Sequence, residues 1–136
     1  MFFKKNQGGF TLIELLIVLF IIGLLASLVG PRLFGKVKQA RIKTAQAQIS
    51  LLGSALDEYL LDAGQYPPTE RGLNALIEKP EDIENWDGPY LKKNIIPKDP
   101  WGREYQYKCP GEHGDYDLSS YGPDGQQSSD DVTSWE

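Results

Sequence analysis

Hydrophobic positions along this 136-residue chain follow two regimes. From Phe10 to Val29 the sequence is apolar almost without interruption. Some 20 such residues, coiled as a helix at ~1.5 Å per residue, match the thickness of a bilayer's hydrocarbon core. One charge interrupts the run, Glu14. A lone carboxylate in such surroundings costs about 2.5–3.5 kcal/mol on insertion scales when it lies near mid-span, so this one, four residues from the start of the run, calls for a partner. From Lys36 to Leu61 the pattern changes: Ile42, Ala45, Ile49, Leu52, Leu56 and Tyr59 recur at spacings of three and four, while Lys43, Gln46, Ser50, Ser54 and Asp57 occupy the other side. That is one apolar row on a helix, facing a globular head.

Between the two regimes stands Pro31, which removes a backbone donor and predicts a kink or loosened turn near Ser27 and Leu28, with Gly23, Gly30 and Gly35 adding weakness. The helical pattern resumes after it and stops at Ala63-Gly64. One helix of about 50 residues, roughly 75–80 Å long, is therefore expected to run from membrane to head. Beyond it, Tyr66-Pro67-Pro68 breaks the chain and Thr69 is placed to cap a short helix over 70–77. An irregular stretch over 78–100 is anchored by Trp86, Tyr90, Leu91, Ile95 and Ile96. Alternation then predicts a hairpin, with Tyr105, Tyr107 and Cys109 on one face of its first strand and a second strand at 116–119. A third short strand is expected at 132–135. The expected class is α+β: a long N-terminal transmembrane and amphipathic helix packed on a small antiparallel sheet. The segments are 1–9, a leader; 10–30, the membrane half of the helix; 31–64, its amphipathic half; and 65–136, the globular head.

Charge sharpens this division. The net charge is −5, but Arg32, Lys36, Lys38, Arg41 and Lys43 form a basic collar with no acid among them, and every acidic residue except Glu14 lies at or beyond Asp57. An acidic head excludes nucleic acid as a partner. The collar has three readings: a solvated face, a contact with anionic lipid, or a pairing with the acidic head of a neighbouring copy. The single cysteine, Cys109, cannot close an intramolecular disulfide and reads as a buried strand residue. The single histidine, His113, sits in a turn composition with no partner in sequence and reads as a solvated loop residue. One His, one Cys and no nucleophile-elbow motif leave little from which to build a hydrolase, so no enzymatic activity is expected. The stretch from Tyr121 to Val132 gathers Asp124, Asp130 and Asp131 among Gly and Ser residues. Hard oxygen donors in a flexible loop suit Ca²⁺, and an acidic solvated turn explains them as well; Asp115 and Asp117 form a weaker cluster of the same kind.

Lys4 and Lys5 favour keeping the N-terminus in the cytoplasm. An ordinary secretory signal is cut after its apolar region, at small residues. Here the small pair Gly8-Gly9 precedes it, so a cut there removes the lysines and keeps the hydrophobic helix. Gly9-Phe10-Thr11-Leu12-Ile13-Glu14 resembles the processing site of type IV pilins and type II secretion pseudopilins. That resemblance implies cleavage by a prepilin peptidase between Gly9 and Phe10, methylation of the new N-terminal Phe10, and a role for Glu14 in assembly. Pro31, flanked by Gly23, Gly30 and Gly35 in an otherwise strong helix, is expected to be the point near which the helix unwinds when subunits leave the bilayer and pack.

Further motifs, Asp57-Glu58-Tyr59, Tyr66-Pro67, Gly72-Leu73, Asp99-Pro100-Trp101-Gly102 and Tyr121-Gly122-Pro123-Asp124-Gly125, follow in an order and spacing that resemble the major pseudopilin family of the type II secretion system, across essentially the whole chain. The resemblance implies a type IV pilin-like fold and the repeating subunit of a helical fibre that helps drive folded exoproteins through the outer membrane. It implies a bacterial inner-membrane, single-pass location with the head in the periplasm. The implied partners are further copies of the chain, minor pseudopilins, inner-membrane assembly-platform proteins and the peptidase. It also implies calcium in the 121–131 loop, with Asp124, Asp130 and Asp131 as side-chain ligands and Tyr121, Gln126 and Ser128 as carbonyl ligands. The alternative within the superfamily is a type IV pilin subunit for adhesion or DNA uptake, against which the missing cysteine pair counts.

Overall fold

The computed structural model describes residues 8–136; most of the leader, with Lys4 and Lys5, lies outside the described residues. One helix, α1, spans Leu12–Ala63, and the chain divides into two compact units whose boundary falls between Lys38 and Gln39. In the first unit the helix carries an apolar surface on every side: Leu12, Ile13, Phe20, Leu25 and Leu28 are all exposed. Its mean hydropathy reaches 2.9, and it is long and apolar enough to cross a membrane. The helix continues unbroken through Pro31, without the loosened turn expected near Ser27 and Leu28. Pro31 deletes one rung of the hydrogen-bond ladder, and the helix-forming residues on both sides keep the remainder.

In the second unit the helix buries a single row, Ala45, Ile49, Leu52, Ala55, Leu56 and Tyr59, as the three-and-four spacing requires. The same segment leaves Leu51 and Leu61 exposed on its other sides. Gly64 ends it at φ +78°, a conformation that favours glycine, and returns its N–H to the Leu60 carbonyl at 2.8 Å.

The expected helix over 70–77 is a 3₁₀ turn, Gly72–Leu76. Thr69 does not cap it. Its hydroxyl donates to the Cys109 carbonyl at 3.0 Å and accepts from the Cys109 N–H at 2.9 Å, and Gly72, at φ +59°, cannot continue a right-handed turn begun upstream. The turn still delivers Leu73, Ala75 and Leu76 to the core. The irregular 78–100 stretch is tied down by aromatic residues. The Trp86 indole N–H donates to the Ala75 carbonyl at 2.8 Å, and the Tyr90 hydroxyl donates to Asp62 at 2.6 Å. Tyr90 meets Trp86 and Tyr59 edge to face. Ile95, expected among these anchors, is 67% exposed, while Ile96 packs against the core.

Three strands form one antiparallel sheet in the order β1 (Gln106–Lys108), β2 (Asp117–Ser120) and β3 (Val132–Thr133). Tyr107 pairs with Leu118, and Ser120 with Val132. Leu118 and Val132 are buried against the helix row with Tyr105, whose hydroxyl donates to Gln48. Cys109 lies beyond β1 and is half-buried rather than buried, with its sulfur 3.5 Å from the Asp115 carbonyl. The chain turns at Pro110, which ends the alternation there.

Candidate functional site

Two places carry the residues singled out by sequence. The first is the start of α1. Gly8, Gly9 and Phe10 are exposed and lie in irregular backbone ahead of the helix. Thr11 caps it: the Glu14 carboxylate accepts the Thr11 N–H at 2.9 Å and the Thr11 hydroxyl at 3.1 Å, and the Thr11 Oγ accepts the Glu14 N–H at 3.2 Å. This is a capping box, the Thr-x-x-Glu pattern in which both ends satisfy donors that a helix start leaves unpaired. The carboxylate therefore has local partners within its own chain. The Thr11-to-Glu14 spacing carried that signal, and the reading of an isolated charge passed over it.

The second place is the loop between β2 and β3. It is founded on Asp99, which is 4% exposed. One Asp99 oxygen accepts the N–H groups of Trp101 (3.1 Å) and Arg103 (2.8 Å), and the other accepts the Ser120 hydroxyl at 2.6 Å. Ser120 in turn accepts the Gly122 N–H at 3.2 Å. Arg103 extends under the loop and donates to the Gly122 carbonyl at 3.0 Å. Gly125 at φ +69° lies so close that a Cβ there would fall 2.5 Å from the guanidinium carbon, so a side chain would have to displace Arg103 and would be strained by a backbone conformation that favours glycine. Asp99, Arg103 and Ser120 thus set the loop's first residues; sequence singled out only Asp99, as part of a motif, because their joint role depends on two distant segments meeting.

Within the loop, Asp124 accepts the Gln126 N–H at 3.0 Å. That bond, with help from Ser128 and the Arg103 charge, holds its carboxyl below the usual carboxylate range. Asp131 accepts the Ser128 N–H at 3.1 Å, and the Asp130 N–H donates to the Ser128 hydroxyl. The carboxylates of Asp124 and Asp131 are engaged locally, and among the described residues no group of three or more His, Cys, Asp or Glu stands close enough to hold a metal. The donor chemistry, oxygen only and rich in carboxylate, suits a hard cation. The arrangement described does not bring the three carboxylates together, so a shared ligand would draw Asp124 and Asp131 from these bonds.

His113 departs from its sequence reading. Its ring stacks on Trp135 with centroids 4.0 Å apart and planes within 2°, and its Nδ1 lies 3.0 Å from Asp117. An ionised carboxylate can only accept, so this nitrogen carries the proton. Asp117 also accepts the N–H groups of Glu112 and His113. Burial raises the Asp117 carboxyl, but the His113 ring and those two N–H groups outweigh it and hold the group below its ordinary value. Asp117 is thereby committed to the 111–117 turn.

Known proteins resemble this chain along most of its length. A family model described as type II secretion system (T2SS), protein G, matches residues 32–135, and one described as the prokaryotic N-terminal methylation motif matches residues 4–30. The chain is 46% identical over 138 residues to type II secretion system core protein G of Dickeya chrysanthemi, covering 97% of this chain and 88% of that protein. It is 45% identical over 133 residues to the core protein G of Pseudomonas aeruginosa, covering 94% and 92%. The crystal structure of the major pseudopilin from the type 2 secretion system of enterohaemorrhagic Escherichia coli superposes with a TM-score of 0.68 at 39% identity, over 76% of this chain and 89% of that one.

The Asp117 contacts predict an acid limb in stability. A carboxyl depressed in the folded state stabilises above its unfolded value, about 3.9, and that contribution disappears as pH falls through the folded value. Near-ultraviolet dichroism of the full chain in detergent should hold steady from neutrality to about pH 5 and lose the Trp135 signal below about pH 4. Asp117→Asn should weaken that signal at neutral pH and flatten the acid limb; an unchanged titration would remove Asp117 from this role.

Proposed function

The chain belongs to the type II secretion system protein G family, and on that footing we propose a working sequence for it: insertion in the inner membrane, cleavage after Gly9, and stacking of its copies into a fibre that moves folded exoproteins. As a major pseudopilin it is a membrane-anchored structural subunit of a multi-subunit pseudopilus. The observation that carries the proposed sequence is the first unit of α1, whose apolar residues are exposed on every side. A helix apolar all round needs lipid before assembly, or other helices after it.

Gly8 and Gly9, exposed in irregular backbone, leave the cut between Gly9 and Phe10 accessible to a prepilin peptidase. Cleavage frees the Phe10 amine, which is then methylated, next to the Thr11–Glu14 cap. In the fibre we assign the Glu14 charge to that amine on an adjacent copy. Pro31, with one rung missing from its ladder, is the point at which the helix unwinds as a copy leaves the bilayer. The platform proteins of the inner membrane and the minor pseudopilins are the partners this sequence of steps requires, with the head exposed to the periplasm. The single Cys109 counts against a pilin of the type closed by a disulfide.

We also assign calcium to the 121–131 loop, through the carboxylates of Asp124, Asp130 and Asp131 and the carbonyls of Tyr121, Gln126 and Ser128. Bound there, the ion supplies positive charge that offsets the mutual repulsion of three carboxylates. Support comes from the donor set, from the ionised state of Asp124 and from the local character of the bonds that hold the loop now.

Two measurements check these proposals. Intact mass of the chain extracted from peptidase-competent cells should show loss of residues 1–9 and one added methyl group on Phe10; recovery of the full-length precursor would refute the cleavage. For the loop, thermal unfolding of the full chain in detergent should shift upward by several degrees with calcium relative to chelator, since saturation at 100-fold above Kd is worth about 2.7 kcal/mol. Asp124→Ala should melt at the chelated value whatever the calcium level. Coincident curves for the parent chain would remove the site.

A further inference from the structure

One face of the sheet packs on the helix row, and the other is left open. Along β2 the alternation that buries Leu118 and Ser120 puts Asp117 and Ser119 on the open face, where Gln106 of β1 stands directly opposite Ser119. The 121–131 loop and the C-terminal segment border this face. The result is a pocket of about 570 Å³ lined by Gln106, Ser119, Tyr121, Gln127 and Trp135 together with the 111–117 turn. That volume lies within the roughly 300–1,000 Å³ usual for small-molecule sites.

Acidic residues outnumber basic ones in the lining, yet most of their charge is already matched. Glu112 pairs with Lys108 at 2.6 Å, Asp117 accepts two backbone N–H groups and the His113 ring, and Asp131 accepts the Ser128 N–H at 3.1 Å. Only Glu70, at an exposed position, has no such partner among the described residues. What remains free is neutral. The side chains of Ser119, Tyr121 and Gln127 make no hydrogen bond among the described residues, and the Gln106 amide reaches only the Glu104 carbonyl, at 3.3 Å. Beside them Trp135 is 37% exposed, and the His113 ring stacked on it fixes the plane of its indole.

We propose that this pocket binds an uncharged pyranose residue of a glycan, with the C–H face of the sugar against Trp135 and its hydroxyls on Gln106, Ser119 and Gln127. Sugar hydroxyls donate and accept at once, and an amide side chain offers an acceptor and two donors in one plane, which matches a pair of neighbouring hydroxyls. A cationic ligand gains little from carboxylates that already have partners. An apolar ligand would cover the free amides and leave them unpaired, at a cost in affinity. The site itself is complete in one copy of the chain. Its consequence rests on the fibre reading above: in stacked copies it recurs at every subunit, so individually weak contacts act together on one glycan strand.

The test is nuclear magnetic resonance of the ¹⁵N-labelled full chain in dodecylphosphocholine, a detergent without a sugar headgroup, titrated separately with tetra-N-acetylchitotetraose, cellotetraose and tetralysine. The Trp135 indole N–H and the side-chain amides of Gln106 and Gln127 should move with at least one of the two sugars, with half-saturation on the order of 1 mM. The indole signals of Trp86 and Trp101, which pack against the core, should stay in place. Preference between the sugars separates an acetamido glycan, such as a cell-wall strand, from an unsubstituted hexose polymer. Trp135→Ala should weaken binding about tenfold and Gln127→Ala about threefold, for the loss of one aromatic face and one hydrogen bond. Gln127 is exposed in the loop, so its variant still reads the site if Trp135→Ala loosens the C-terminal segment. Movement with tetralysine and with neither sugar would overturn the proposal and make the pocket a cation site. Signals that stay still with both sugars, or sugar shifts that neither variant weakens, would overturn it as well, and none of these outcomes bears on whether fibres form.

Discussion

An apolar helix with nothing among the described residues folded against it sets the terms for this molecule. Residues of α1 from Leu12 to Val29 are exposed on every side, which water does not tolerate over such an area. In hydrocarbon the same surface is at home, but the start of a helix is not, because backbone donors left unpaired there cost several kcal/mol each. The Thr11–Glu14 capping box answers part of that demand within the chain. The carboxylate that looked like a liability in the apolar run is also the group that closes the helix end.

Beyond Lys38 the helix changes role without changing geometry. Its sequence narrows to one apolar row, and the row fixes which way everything else faces. Leu118 and Val132 seat the sheet on it, Leu73 and Leu76 seat the 3₁₀ turn, and Trp86 and Tyr90 fasten the irregular segment. Polar bonds then set the loop. Asp99 ties the segment before β1 to the end of β2, and Arg103 holds the first loop residues from below. The loop's own carboxylates are left to short-range partners, which is why a cation has something to add there.

The unbroken apolar run and the periodicity after it revealed the exposed apolar helix, the buried row and the stop at Gly64, because each depends on residues near one another in sequence. The hairpin and the third strand were legible for the same reason, though shorter than alternation suggested. Much of what escaped depends on contacts between distant segments. Thr69 was drawn from capping to Cys109, forty residues on, and His113 found Trp135 and Asp117 across the end of the sheet. Ile95 read as an anchor by composition alone, but its neighbour Ile96 took the place against the core. The three carboxylates of the last loop lie within eight residues of one another, yet backbone N–H groups within the loop compete for two of them, Asp124 and Asp131.

The two roles assigned to Glu14, closing its own helix and meeting a charge on an adjacent copy, separate in one substitution. Glutamine serves in a capping box as glutamate does but carries no charge. Glu14→Gln should therefore insert in the membrane and fold its head as the parent does, while electron microscopy of sheared cells shows no fibres. Fibres at the parental level from that variant would mean that the hydrogen bonds suffice and that no charge is met between copies.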